Sequence, residues 1–306
     1  MKVYENYSDL IGNTPIIKLS KIDFPVGINL YAKLELWNPG GSVKDRVGQS
    51  IIKDAEDSGK LKKGGTIIEA TAGNTGIGIA FAAIGKGYNV KFVVPEKYSQ
   101  EKQDIMRILG AEVINTPRDK GMTGGLEKIQ ELLKENPDYV YVDQYKNKAN
   151  PKAHYETTGP EIYRDLDGKV DYFIAGAGSG GTISGVGKYL KEQDKNIKIV
   201  LADPVNSIVG GPATNPTYHS VIEGVGSSFV PGIYDASVVD EVIRVNDEEG
   251  LPEIKLLAKR EGILAGGSSG LILAAARKLA EKVKTGNIVV VLTDRGDRYL
   301  SKGIFN

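Results

Sequence analysis

Residues 38–46 read NPGGSVKDR. Pro39-Gly40-Gly41-Ser42 is turn chemistry, and the next residues, 45–58, carry apolar side chains at helical spacing. Lys44 is thereby placed at the mouth of a helix. A cation is out of place there, because the helix dipole is positive at its N-terminus and opposes an ammonium. The same opposition lowers the lysine pKa, which is the condition for an amine that forms a Schiff base with a carbonyl. A lone lysine behind two glycines is more often an ordinary surface side chain, so the rest of the chain has to decide between the two.

Outward from that turn, short β-branched runs alternate with amphipathic stretches. Residues 30–35, 66–70, 90–95, 113–117 and 139–143 read as strands, and 45–58, 76–86, 100–109 and 126–135 as helices. A second series comes after them, with strands at 172–177, 197–203 and 288–293 and helices at 183–192 and 271–283. Repeated strand and helix implies an α/β fold of two doubly wound domains with mostly parallel sheets. The polar stretch from Tyr145 to the Asn150-Pro151 pair marks the boundary. A smaller N-terminal domain is expected over 1–145, its first 35 or so residues free to cross to the other half, and a larger one over 146–306.

Composition narrows the chemistry. The chain has 306 residues, 41% of them hydrophobic, and 39 basic residues balance 39 acidic ones. A neutral chain offers no electrostatic case for nucleic acid or an anionic membrane as partner, so small molecules are expected. With no cysteine and only His154 and His219, a metal centre, a disulfide and a thiol nucleophile are all disfavoured. Residues 1–15 lack a signal-type apolar core and the longest apolar runs, such as 271–276, are too short to span a bilayer. A cytoplasmic protein is the expectation.

The glycines gather at 40–41, 73–78, 176–187, 210–211 and 266–270, mostly between a strand and a following helix, where backbone amides can face an anion. Residues 175–187, AGAGSGGTISGVG, are the clearest case. They also contain a formal G-x-G-x-x-G, at Gly176, Gly178 and Gly181, with Asp203 ending the next strand. Phosphate binding is implied by either reading, so a nicotinamide oxidoreductase is a rival at this point.

Four motifs, NPGGSVKDR, TAGNTG at 71–76, GSGGT at 178–182 and GGSSG at 266–270, stand in an order and spacing that resembles the cysteine synthase and cystathionine β-synthase family of fold type II pyridoxal 5'-phosphate (PLP) enzymes, whose architecture is that of the tryptophan synthase β-subunit. The likeness runs from about Leu10 to the C-terminus. By position it implies that Lys44 carries PLP as a Schiff base, Asn74 meets the cofactor's 3'-oxygen, Gly178, Ser179, Gly180, Gly181 and Thr182 hold its phosphate, and Ser268 faces the pyridine nitrogen. It likewise implies that Thr71, Ala72, Gly73, Asn74 and Thr75, with Gln144, hold the substrate carboxylate, and it brings Glu223 and Gly224 to the substrate. A hydroxyl at Ser268 does not keep the ring nitrogen protonated, so elimination at Cβ outcompetes transamination. The implied reaction is β-elimination and replacement through an aminoacrylate, and the implied assembly is a homodimer.

The substrates stay open. Ala72 stands where the family usually has Ser, and Glu223 in EGVG is similar to cystathionine β-synthases, where cysteine synthases usually show Gln. A carboxylate there can receive the ammonium of homocysteine or cysteine. Ser227-Ser228 before Phe229, however, replaces a Tyr-Asp pair frequent in cystathionine β-synthases. Three enzyme readings result: a sulfide-using cysteine synthase, a thiol-using β-synthase acting on O-acetyl-L-serine or L-serine, and a cysteine lyase that releases hydrogen sulfide. A catalytically silent relative that acts as a binding partner is the reading from outside enzymology.

Overall fold

The computed structural model describes residues 3–306. In chain order the strands are β1 (Ile16–Lys18), β2 (Ile28–Leu34), β3 (Thr66–Ala70), β4 (Asn89–Pro95), β5 (Glu112–Thr116), β6 (Val140–Tyr141), β7 (Tyr172–Gly176), β8 (Lys198–Pro204), β9 (Glu241–Val245) and β10 (Gly286–Leu292). The helices are α1 (Lys44–Asp57), α2 (Asn74–Ala83), α3 (Gln100–Ile108), α4 (Gly121–Glu135), α5 (Ala149–Ala153), α6 (Gly159–Asp165), α7 (Gly181–Gln193), α8 (Asp247–Glu261) and α9 (Gly267–Lys282).

Two sheets result, and both are covered by helices. The smaller runs β5-β4-β3-β6 and is wholly parallel; the larger runs β1-β2-β10-β7-β8-β9, parallel except for the antiparallel edge pair β1 and β2. Parallel strands buried on both faces need apolar residues on both, and β10 supplies them: Ile288, Val290 and Leu292 join one core while Val289 and Val291 join the other. Ile67 and Ile68 divide the same way between the two faces of the smaller sheet. The α/β architecture of two domains with mostly parallel sheets is the one expected.

Every strand and helix expected from the sequence is present, with ends that move by a few residues. Helix α2 starts at Asn74 rather than 76, and β6 is shorter than 139–143. Six elements went unread, among them the short helices α5 and α6. β1 has three residues; β9 is five residues among acidic loops; α8 carries Gly250 and Pro252 inside it. Between α5 and α6 a π-helical turn, His154–Thr158, breaks the helical period.

The contact between α1 and α2 fixes the position of Lys44. The two helices meet backbone to backbone, because a Cβ on Gly48 would fall on the carbonyl of Gly78 and one on Gly78 on the carbonyl of Lys44. Glycine at both crossings therefore sets Lys44 against the start of α2. Among the described residues no helix is long and apolar enough to cross a membrane.

Candidate active site

A cleft of about 800 Å3, part of it open to solvent, lies between the two sheets where β3, β7 and β10 end. Ligand sites in open α/β sheets form at such C-terminal strand ends. Every site residue that the family resemblance implies lines it: Lys44, Thr71 to Thr75, Gln144, Gly178 to Thr182, Glu223 with Gly224, and Ser268.

Lys44 is the first residue of α1 and is half-buried. The preceding turn is pinned to the end of β10, with Val43 N–H donating to the Thr293 carbonyl at 2.8 Å and Arg295 N–H to that of Gly41 at 3.3 Å. Among the described residues Nζ has no hydrogen-bond or ion-pair partner. Loss of hydration lowers its pKa to about 8, against an opposing pull from the Asp294 and Glu35 carboxylates. Behind it lies a buried ionic cluster. Arg46 Nε donates to Glu35 at 2.7 Å and its Nη1 to Glu161 at 2.7 Å, while Lys33 pairs with Glu161 at 2.8 Å. Burial pushes the Glu35 carboxyl up, but Arg46 outweighs it and holds the group down at about 2. The cluster ties α1 to β2 and α6, so the base of Lys44 is fixed while its amine is free.

The β7–α7 turn forms the anion end of the cleft. Gly180 has φ +87°, and α7 opens at Gly181 with its amides toward the cleft mouth. A Cβ on Gly178 would fall on the carbonyl of Gly224, and one on Gly181 on the Asn150 side chain. Asn150 Nδ2 donates to Gln144 O at 2.8 Å and to Ser179 Oγ at 3.0 Å, leaving its Oδ1 buried without a partner. Thr182 Oγ1 lies 3.2 Å from His154 Nε2, and His154 Nδ1 lies 2.9 Å from Thr158 Oγ1. Burial first, then the charge of Lys44, push the His154 pKa down to about 3, so the imidazole is neutral.

Across the cleft, Thr71 Oγ1 accepts from Gly73 N–H at 2.9 Å and Gly76 N–H at 3.2 Å, which folds the 71–75 loop into a cup at the start of α2. Asn74 is oriented by its neighbours. Arg298, which can only donate, gives Nη1 to Asn74 Oδ1 at 2.8 Å, and Asn74 Nδ2 gives one hydrogen to Asp294 at 2.6 Å. One N–H remains to face the cleft. Gln144 is fixed likewise: Thr75 Oγ1 donates to its Oε1 at 2.7 Å, and its Nε2 donates to Ala70 O at 3.0 Å. Ser268, in the first turn of α9, lies 2.5 Å from Thr293 Oγ1. Glu223 is not a lone carboxylate: Lys102 of α3 donates to its Oε2 at 2.6 Å.

The dinucleotide rival fails on Asp203. That carboxylate is fully buried, takes Arg244 Nη1 at 2.7 Å and Gly210 N–H at 2.9 Å, and does not line the cleft. No ribose can reach it.

A model of the family described as pyridoxal-phosphate dependent enzyme matches residues 7–294. The chain belongs to this family. It is 48% identical over 306 residues to the O-acetylserine dependent cystathionine beta-synthase of Bacillus subtilis, covering 100% of this chain and 99% of the relative. It is 46% identical over 301 residues to a cysteine synthase of Helicobacter pylori, covering 97% and 98%. A solved O-acetylserine dependent cystathionine beta-synthase from Helicobacter pylori superposes with a TM-score of 0.95 at 42% identity, over 100% of both chains.

The cleft of this pyridoxal-phosphate dependent enzyme fits its cofactor on its own terms. A glycine cradle that any side chain would fill, a helix N-terminus beside it and an unpartnered amine across from it match a phosphate at one end and a carbonyl at the other. Sequence reasoning missed Lys102, Asn150, Asp294 and Arg298. Lys102 sits in EKQD and reads as a solvated helix face; only the fold brings it under Glu223.

Proposed function

We propose that the chain catalyses β-replacement on a serine-type amino acid, with O-acetyl-L-serine as donor and sulfide or a thiol as nucleophile. The observation that carries this reading is an unpartnered, half-buried amine at Lys44 facing a glycine cradle. The names of the relatives, which include O-acetylserine dependent cystathionine beta-synthase and cysteine synthase, support the donor and the two nucleophile classes.

When bound, pyridoxal phosphate supplies a carbonyl that holds amines covalently and a conjugated ring that draws electrons from the substrate Cα. The chain does the rest. Amides of Gly178 to Thr182, at the positive end of α7, hold the phosphate. Asn74, with one N–H left, would donate to the ring oxygen, and the Ser268 hydroxyl would meet the ring nitrogen without keeping it protonated. The amides of the 71–75 loop, with the Gln144 side chain beside them, bind the substrate carboxylate. Lys44 Nζ, whose pKa of about 8 leaves a usable neutral fraction near pH 7, takes the Cα proton as the β-substituent leaves, and gives one back after the nucleophile adds at Cβ. Closure of the 71–75 loop keeps bulk water from the dehydrated substrate.

Initial rates with O-acetyl-L-serine, L-serine or L-cysteine, each against sulfide, L-homocysteine and water, test the reading. It expects fastest turnover with O-acetyl-L-serine and a sulfur nucleophile. Turnover confined to L-cysteine with sulfide released would instead establish the lyase, and no turnover of any donor would reject the enzyme.

A further inference from the structure

Behind the cleft wall, two opposite charges grip one amide. Asp294, two residues after β10, and Arg298, in the C-terminal segment, are 1% and 5% exposed, and neither lines the cleft. Arg298 gives Nη1 to Asn74 Oδ1 at 2.8 Å and Nη2 to the Gly40 carbonyl. Asp294 Oδ2 accepts from Asn74 Nδ2 at 2.6 Å and from the Tyr299 hydroxyl at 2.5 Å. Glycines make room for both charges. A Cβ on Gly41 would fall on the Arg298 guanidinium and one on Gly266 on the Asp294 carboxylate, so two of the glycine motifs serve charged side chains as well as an anion. Taking two charges out of water is costly, and the C-terminal segment is already tied down by Ser99 and Glu101. Opposite charges at the two ends of an amide do something a tie does not. They fix its direction, since the reversed amide would set its N–H groups against the guanidinium and its oxygen against the carboxylate.

We propose that Asp294 and Arg298 are positioning residues that, through Asn74, keep the cofactor's ring oxygen free of a proton and so leave that proton on the nitrogen joining the cofactor to Lys44. The inference rests on the assignment of Lys44 and Asn74 to the cofactor. With its carbonyl held by Arg298 and one hydrogen by Asp294, Asn74 can show the ring oxygen only an N–H. A fixed donor favours an oxygen that carries charge over one that carries a hydrogen. The pair thereby readies the bond to Lys44 for the amine of an incoming amino acid, because a protonated nitrogen is the better electron acceptor.

The test reads the absorbance of the purified holoenzyme, saturated with pyridoxal phosphate and then desalted. A proton on the nitrogen gives a visible band, and a proton on the ring oxygen a near-ultraviolet one. Per bound cofactor, the visible-to-near-ultraviolet ratio is expected to fall by about 3- to 10-fold in the isosteric Asp294→Asn and in Arg298→Met, the scale of one hydrogen bond. Arg298→Lys, which still donates, retains most of the ratio. Asn74→Ala lowers the ratio by itself, and in that background neither change lowers it further. The double variants separate a role through Asn74 from the direct pull of Asp294 on the charge of Lys44. An unchanged ratio in the single variants, even with a lower Tm or less cofactor bound, overturns the inference, as does an equal fall in the Asn74→Ala background. A wild-type protein that retains neither band rejects the cofactor assignment itself.

Discussion

An amine gives up its proton more readily where water is scarce and where a helix points its positive end at it. Lys44 meets both conditions, and the Asp294 and Glu35 carboxylates recover only part of the shift, leaving the pKa at about 8 rather than 10.5. The sign is definite: the neutral amine grows as pH rises through 8, well before an exposed lysine loses its proton. Reductive labelling of the cofactor-free protein with a small aldehyde, read by peptide mass spectrometry, is expected to reach half its maximum on Lys44 near pH 8. A Lys44 profile superimposed on that of the other lysines would contradict this. At this scale the sequence was readable where a residue type is out of place locally, as Lys44 is at a helix start. It was silent on Lys102, Asn150, Asp294 and Arg298, whose local settings are ordinary and whose partners lie 29 to 224 positions away.

Elements carry the site through contact as much as through their ends. α1 presents Lys44 correctly only because Gly48 and Gly78 let it touch α2, and α2 in turn begins with Asn74. In Gly78→Ala the new methyl meets the Lys44 carbonyl, so one helix has to shift. Overpacking of this kind costs about 1–3 kcal/mol. The expected outcome is a Tm lowered by several degrees together with less bound cofactor per chain by absorbance, whereas Ala in place of the exposed Gly232, where a Cβ meets nothing closer than 3.5 Å, leaves cofactor content intact. Wild-type cofactor content in Gly78→Ala would show that the contact does not position Lys44. The apolar, β-branched strands were legible because parallel strands buried on both faces have little other composition open to them. β9 and α8 were not, since a five-residue strand among acidic loops and a helix containing Gly250 and Pro252 both carry loop composition. The helix from Asp247 nonetheless has a capping box, Asn246 with Glu249, that marks its start.

For the whole molecule, two sheets from separate stretches of chain each contribute one wall, and the C-terminal segment joins them. Ser99 donates to the Arg298 carbonyl at 2.6 Å, and Glu101 accepts from the Ser301 amide and hydroxyl at 2.7 Å each, while Arg298 also holds Asn74. The general architecture was readable from the alternation of strand and helix, and the cleft from the position of the glycines. The crossing of β1 and β2 into the larger sheet was anticipated only as a possibility, because pairing between β2 and β10 joins residues about 258 positions apart and leaves no local trace. All of the proposed chemistry depends on Lys44 carrying the cofactor. The most direct test is borohydride reduction of the purified holoenzyme, then digestion and peptide mass spectrometry. The expected result is one reduced pyridoxyl phosphate on the peptide containing Lys44 and none on that peptide in Lys44→Ala; a label on any other lysine, or no label in a protein that still turns over O-acetyl-L-serine, would contradict the assignment of Lys44.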